Sequence, residues 1–154
     1  MPDTMLILRG IAGNYPDPAQ GGKVREWPRG ALDEPPTLEY AQRRGYVGQV
    51  LDVAGWTGAD SEQVQVALAA LRNDETITAL YGFSGGADNV RHVTDAMDDN
   101  TRIKLCVILG ADYGLSHFDG PWELVYRGNP PAGHMYGPRA LLASLGPESP
   151  AVGF

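Results

Sequence analysis

The chain has 154 residues, enough for one domain with a continuous core and too few for two comfortable domains. Twelve basic residues against 19 acidic ones give a net charge of −7, which argues against a nucleic-acid partner. No apolar run approaches the roughly 20 residues of a membrane span, and the amino terminus lacks the basic stretch of a secretory signal. The single cysteine, Cys106, cannot form an internal disulfide, so we expect a reducing, cytoplasmic location.

The first third of the chain predicts one strand, a long loop and one helix. Residues 5–9 (MLILR) form a short apolar run typical of a buried strand. Residues 10–36 are rich in Gly, Pro and Asp, which predicts a long irregular loop. Loops of this length in small domains usually have a function. Asp33 is the expected cap of a helix that ends at Gly45.

The remaining segments alternate between strand and helix patterns. Residues 46–53 predict a second strand, and Asp60 or Ser61 caps a helix over 61–73 with apolar side chains at helical spacing. Further strands are expected at 76–81, 103–109 and 122–126, helices at 87–97 and 137–145, and a frayed tail at 146–154. This alternation predicts a single α/β domain over 1–154, with a mostly parallel sheet covered by helices on both faces.

Residues 82–86 (GFSGG) satisfy the pattern G-x-S-x-G between a predicted strand and a predicted helix. A nucleophile elbow needs a sharp turn there, and glycines on both sides keep Cβ atoms out of it. Ser84 is therefore the candidate nucleophile, and the N–H of Gly85 is a candidate oxyanion donor. Two alternatives remain open: a serine that merely caps the helix, and a glycine-rich turn that binds phosphate.

A serine nucleophile needs a base and an acid that orients the base. His134, in the loop after the last strand, is our candidate base, with His117 in reserve. His92 lies in the helix after Ser84 and is expected to be a surface or packing residue. Asp112 directly follows the fourth strand and is the candidate acid, with Asp119 as its competitor.

The loop after the first strand is expected to complete the oxyanion hole. Glycines at 10 and 13 would let backbone N–H groups approach a substrate oxygen, and Ile11 and Ala12 are the predicted donors. Four aromatic residues near strand ends are candidates for an apolar pocket wall or for core and loop anchors: Tyr15, Trp56, Tyr113 and Trp122.

The order of elbow serine, acid after a later strand and histidine after the last strand resembles the α/β-hydrolase superfamily. The matching residues are Ser84, Asp112 and His134. The resemblance implies a three-layer sandwich with a five-stranded sheet of order 2-1-3-4-5. The segment RGIAG replaces the HGGG-type oxyanion motif, and the stretch between the fourth and fifth strands is too short for a cap domain, so a minimal, lidless member is implied.

Two function classes follow from this pattern. The first is a serine hydrolase that cleaves a small ester or thioester through an acyl-enzyme and uses no metal or cofactor. The second is a catalytically silent α/β domain that binds a small ligand or a protein on the same scaffold. A phosphate-binding, flavodoxin-like protein is a third possibility. In each case the ligand is expected at the carboxyl edge of the sheet, between the first and third strands, where the order in which the strands are added reverses.

Overall fold

A computed structural model describes residues 2–10, 16–17, 23–24, 34–111, 120–131, 133 and 136–147. In chain order the elements are β1 (Thr4–Leu8), β2 (Pro16–Asp17), β3 (Lys23–Val24), α1 (Glu34–Arg43), β4 (Val47–Leu51), α2 (Glu62–Asn73), β5 (Ile77–Phe83), α3 (Gly85–Ala96), a 3₁₀ turn (Asn100–Arg102), β6 (Leu105–Leu109), β7 (Glu123–Arg127) and α4 (Gly137–Ala143). Each helix among the described residues is too short or too polar to cross a membrane.

The main sheet has five strands in the order β4-β1-β5-β6-β7, and every neighbouring pair is parallel. Counted within this sheet alone, the order is 2-1-3-4-5, which confirms the predicted topology. The chain leaves β1 for the outer strand β4 and returns to β5 on the other side of β1. The carboxyl ends of β1 and β5 therefore flank the switch point at which ligands bind in open α/β sheets.

The three central strands of the sheet, β1, β5 and β6, are buried on both faces, as runs of apolar residues in parallel strands require. In β1, Leu6 and Leu8 pack in a core with residues of α2 and α3, whereas Met5 and Ile7 pack with residues of α1 and α4. All five residues of β1 are buried. The helices therefore cover the sheet as two outer layers, as predicted.

The predicted elements are present, with boundaries that differ by up to two residues, and the differences around the elbow bear on the site. The third strand was expected to end at residue 81 but continues to Phe83, and the following helix begins at Gly85 rather than at residue 87. Glycine is a poor helix former, so the pattern alone placed the helix start too late. As a result, Ser84 is the single residue between strand and helix.

Three loop or tail predictions meet the structure only in part. The long loop expected to be irregular contains the short antiparallel pair β2–β3. Ser61, not Asp60, caps α2, since its side chain accepts a hydrogen bond from the Val64 N–H. In the tail that was expected to fray, the Gly146 carbonyl accepts a hydrogen bond from Arg43 at 2.8 Å, and residues 148–154 lie outside the described part. Asp33 also lies outside it.

Candidate active site at the carboxyl edge of the sheet

Ser84 has backbone angles that side chains rarely adopt. Its φ is +59° and its ψ is −121°, and it alone has a positive φ among the non-glycine residues that the structure describes. Its N–H donates to the Leu109 carbonyl of β6 at 2.9 Å, and its own carbonyl accepts from the N–H of Ala87 at 3.0 Å. Such a conformation costs about 1–3 kcal/mol and persists only where surrounding contacts enforce it. The predicted strained turn at this serine is confirmed.

The side chain of Ser84 does not cap α3. It makes no capping hydrogen bond, whereas Ser61, at the same position of α2, accepts one from Val64 at 3.3 Å. The alternative in which Ser84 serves as an ordinary helix cap is therefore wrong. Ser84 is half-buried, and its hydroxyl makes no hydrogen bond that caps the helix following it.

Glycines permit the close approach of β1, β5 and α3. A Cβ atom on Gly82 would lie 2.5 Å from the Ala87 Cα and would overlap the Gly86 carbonyl oxygen. A Cβ atom on Gly86 would overlap the carbonyl oxygen of Leu8 in β1. The glycines two positions before and after Ser84 are thus required by space, as the elbow pattern predicts.

A second pair of close approaches connects the elbow to neighbouring loops. A Cβ atom on Gly85 would overlap the Gly55 carbonyl oxygen and lie 3.4 Å from the Thr57 hydroxyl oxygen. A Cβ atom on Gly10 would lie 3.1 Å from the Ser84 Cβ. The Gly55 N–H donates to the Gly10 carbonyl at 3.2 Å. The loops after β1 and β4 therefore meet at Ser84 and Gly85.

Gln63, at the start of α2, ties the loop after β1 to the loop after β4. Its side-chain amide nitrogen donates to the Arg9 carbonyl at 2.9 Å and to the Val53 carbonyl at 3.1 Å. The residue is fully buried. Because carbonyl and amide point in opposite directions across a trans peptide, this contact directs the following Gly10 N–H away from Gln63.

Asn89 of α3 continues the same buried network. Its side chain donates to the Trp56 carbonyl and to the Gln63 side-chain oxygen, both at 2.9 Å, and accepts from the Gly58 N–H at 3.1 Å. A buried polar network in which each member is hydrogen-bonded holds one arrangement of the surrounding chain. Asn89 and Gln63 thus set the position of the Trp56 loop relative to the elbow.

Sequence reasoning missed both residues, although one signal was available for Gln63. It lies on the same face of α2 as the buried residues Ala67 and Leu71, at a spacing of four residues. A polar residue in such an apolar stripe predicts a buried hydrogen-bonding partner. Which partner it meets depends on the tertiary structure.

Two charged residues lie next to the elbow, one in the first turn of α3 and one whose backbone carbonyl contacts Gly86. Asp88, in the first turn of α3, is 3% exposed and is the one ionisable acid or base among the buried polar residues that the structure describes. The positive end of the helix dipole favours a carboxylate at this position. The Arg9 side chain is 12% exposed, and its guanidinium lies 3.6 Å from the Asp52 carboxylate.

Some of the other residues considered in the sequence lie in the described part of the structure, and the rest lie outside it. His92 is half-buried within α3, as expected for a packing residue, and Trp122 belongs to the core. Cys106 is fully buried in β6, where desolvation raises the pKa of its thiol and keeps it protonated. The predicted residues that lie outside the described part are Ile11, Ala12, Tyr15, Asp112, Tyr113, His117, Asp119 and His134.

The structure thus brings together Ser84, Gly85, the Gly10 backbone and the Gly55 loop at one edge of the sheet, and the roles of Asp112 and His134 stay predictions.

A scan against protein-family models finds no family that matches the chain. A search of curated proteins finds no matching sequence. The resemblance to α/β-hydrolases therefore rests on the residues and geometry of this chain.

Proposed function

We propose that the protein is a serine hydrolase that cleaves an ester or thioester through an acyl-enzyme on Ser84. The observation that carries this proposal is the strained backbone of Ser84, with φ +59°, combined with a hydroxyl that does not cap the helix. Strain of this kind is costly, and it clusters at sites where a side chain must be aimed at a ligand. A serine that served only the fold would need neither feature.

The first chemical step is attack of the Ser84 oxygen on the substrate carbonyl carbon. As the bond forms, the proton of the hydroxyl passes to a base, for which His134 is the predicted residue and Asp112 its orienting acid. The base then returns the proton to the leaving alcohol or thiol, whose bond to the carbonyl breaks. Water, activated by the same base, releases the acid and regenerates Ser84.

The start of α3 supplies donors for the oxyanion that forms in this step. The N–H groups of Ala87 and Asp88 already donate to the Ser84 carbonyl, which leaves those of Gly85 and Gly86 as candidate donors in the first turn. The positive end of the helix dipole adds to their effect. The second donor is predicted from the loop after β1, at Ile11 or Ala12.

A fluorophosphonate probe tests the proposal, because it reacts with activated serine hydroxyls. We expect the native protein to be labelled and Ser84→Ala to remain unlabelled. Ser61→Ala is the matched control, since Ser61 also begins a helix but bonds to it, and this variant should be labelled like the native protein. Equal labelling of native protein and Ser84→Ala would refute the proposal, and a folded native protein without label would favour the silent binding domain.

A histidine series tests which base serves Ser84. On a short-chain aryl ester, we expect His134→Ala to lose nearly all activity and His92→Ala to keep most of it, because His92 is carried away from Ser84 along α3. Loss of activity in His117→Ala with an active His134→Ala would make His117 the base. That result would leave the serine hydrolase proposal in place.

A further inference from the structure

Two exposed aromatic residues lie in the loops on either side of the elbow. The exposed large apolar residues of the described part are Leu38, Val47, Trp56 and Tyr136. Trp56 and Tyr136 are each 51% exposed, and both belong to segments that contact the residues next to Ser84. We propose that these two side chains are the walls of a substrate cleft, and that the substrate is an ester with an apolar acyl group. The inference rests on the proposed function and specifies its substrate class.

Trp56 belongs to the loop that packs against Gly85. Its neighbours on both sides make the contact: the Gly55 carbonyl touches Gly85, and the Thr57 hydroxyl oxygen would lie 3.4 Å from a Cβ atom there. Consecutive Cα atoms are about 3.8 Å apart, so the backbone of Trp56 lies close to Gly85, the residue that follows Ser84. Gly85 and Gly55 belong to the side of the sheet that α2 and α3 cover.

Tyr136 lies on the side that α1 and α4 cover. It precedes Gly137, the first residue of α4, whose Cβ position would be 3.4 Å from Leu109 and 3.5 Å from Phe83. Phe83 directly precedes Ser84, and Leu109 accepts the Ser84 N–H. The two aromatic residues therefore belong to segments that contact the neighbours of Ser84 on opposite faces of the sheet.

The backbone of the Trp56 loop is held in place without its side chain. Asn89 donates to the Trp56 carbonyl at 2.9 Å and accepts from the Gly58 N–H at 3.1 Å. A single exposed apolar residue needs no explanation in general. The Trp56 indole is different, because the buried hydrogen bonds of Asn89 hold its loop in place. A ligand that packs on the indole therefore does not lose binding free energy to ordering the loop.

The two other exposed apolar residues lie elsewhere and bind no substrate in this proposal. Val47 pairs with Thr4 at the amino end of the sheet, opposite Ser84. Leu38 lies on α1, with a methyl group over Gly48 of β4. Leu38→Ala therefore removes a similar exposed apolar group far from the elbow and is the matched control.

The test compares the kcat/KM values for 4-nitrophenyl hexanoate and 4-nitrophenyl acetate. Burial of one methylene group contributes about a fourfold gain in binding, and hexanoate has four more than acetate. We expect the hexanoate-to-acetate ratio to fall about tenfold in Trp56→Ala and Tyr136→Ala, and to stay unchanged in Leu38→Ala. Trp56→Phe should restore most of the ratio, since an aromatic surface remains. The proposal would be overturned if the hexanoate-to-acetate ratio were the same in the native protein and in both aromatic variants. It would also be overturned if the ratio fell by the same factor in Leu38→Ala.

A binding experiment separates this inference from the proposed function. Methyl hexanoate is titrated into Ser84→Ala, which cannot turn it over, and the melting temperature is followed. If methyl hexanoate raises the melting temperature of Ser84→Ala but not that of Ser84→Ala/Trp56→Ala, the proposed substrate cleft is supported. This holds even if the native protein hydrolyses neither ester. No stabilisation of Ser84→Ala overturns it, whereas absence of hydrolysis and of fluorophosphonate labelling refutes only the hydrolase.

Discussion

The two ends of the parallel sheet are built in different ways. At the amino end, side chains bind the loops together. The Arg102 guanidinium donates to the carbonyl groups of Leu71 and Asp74, both at 2.7 Å, and also to that of Ile77. These bonds join the end of α2, the turn before β5 and the segment before β6.

At the carboxyl end, backbone meets backbone directly. Glycines at positions 55, 82, 85 and 86 let the strands, the loops and the start of α3 approach more closely than any side chain would allow. Ser84 is held there in a costly conformation with a hydroxyl that caps nothing. The buried side chains of Gln63 and Asn89 hold the loops from behind.

The difference separates stability from function within one sheet. Charge-assisted hydrogen bonds such as those of Arg102 stabilise the fold because they satisfy backbone carbonyl groups at this end of the sheet. The carboxyl end uses glycines in place of larger side chains and accepts backbone strain at Ser84, whose hydroxyl is not used to cap α3. Natural proteins accept such a loss of stability where a site requires it.

The largest effect is expected where a methyl group would break the glycine contacts. In Gly86→Ala the new Cβ would overlap the Leu8 carbonyl oxygen. Because backbone cannot move aside cheaply, we expect a loss of at least about 3 kcal/mol in the free energy of unfolding, measured in urea. Gly128→Ala, where a Cβ would meet no atom within 4 Å, should change it by less than about 0.5 kcal/mol. Equal stability of the two variants would contradict the close packing described here.

The next effect sharpens the contrast at the amino end. Arg102→Met removes the donors to three carbonyl groups, and we expect a loss of about 2–3 kcal/mol in the free energy of unfolding. Arg72→Met is the control, because Arg72 is exposed on α2. In folded Arg102→Met the rate at which the fluorophosphonate probe labels Ser84 should equal that of the native protein. A slower rate would show that the two ends are coupled.

The smallest effect compares two serines that begin helices. Ser84→Gly relieves a positive φ, and we expect the free energy of unfolding to rise by about 1 kcal/mol while labelling is lost. Ser61→Ala removes a hydrogen bond to Val64, so this variant should have a free energy of unfolding that is lower by about 1 kcal/mol. Urea unfolding of both variants checks the opposite signs. A loss of stability in Ser84→Gly would mean that Ser84 contributes to the fold.

The sequence by itself determined the five strands of the main sheet, their alternation with helices and the position of the elbow, but not the short pair β2–β3. Apolar periodicity and glycine spacing are local properties, so they identified β5, α3 and Ser84 without knowledge of any distant contact. The sheet order came from the resemblance to α/β-hydrolases, and the structure confirms that order. The roles of Ile11, Ala12, Asp112 and His134 stay predictions, because local patterns cannot show whether distant loops meet.

Only the tertiary structure decided how the elbow is supported. The start of α3 at Gly85 depends on the backbone of β1 and of the Gly55 loop, which lie far away in the chain. Gln63 and Asn89 are separated by 26 residues and meet only when α2 and α3 pack together. Trp56 and Trp122 looked alike in the sequence, yet one is half-exposed beside Ser84 and the other lies in the core. Burial and hydrogen-bond partners are properties of the folded chain, because they depend on which distant residues surround each side chain.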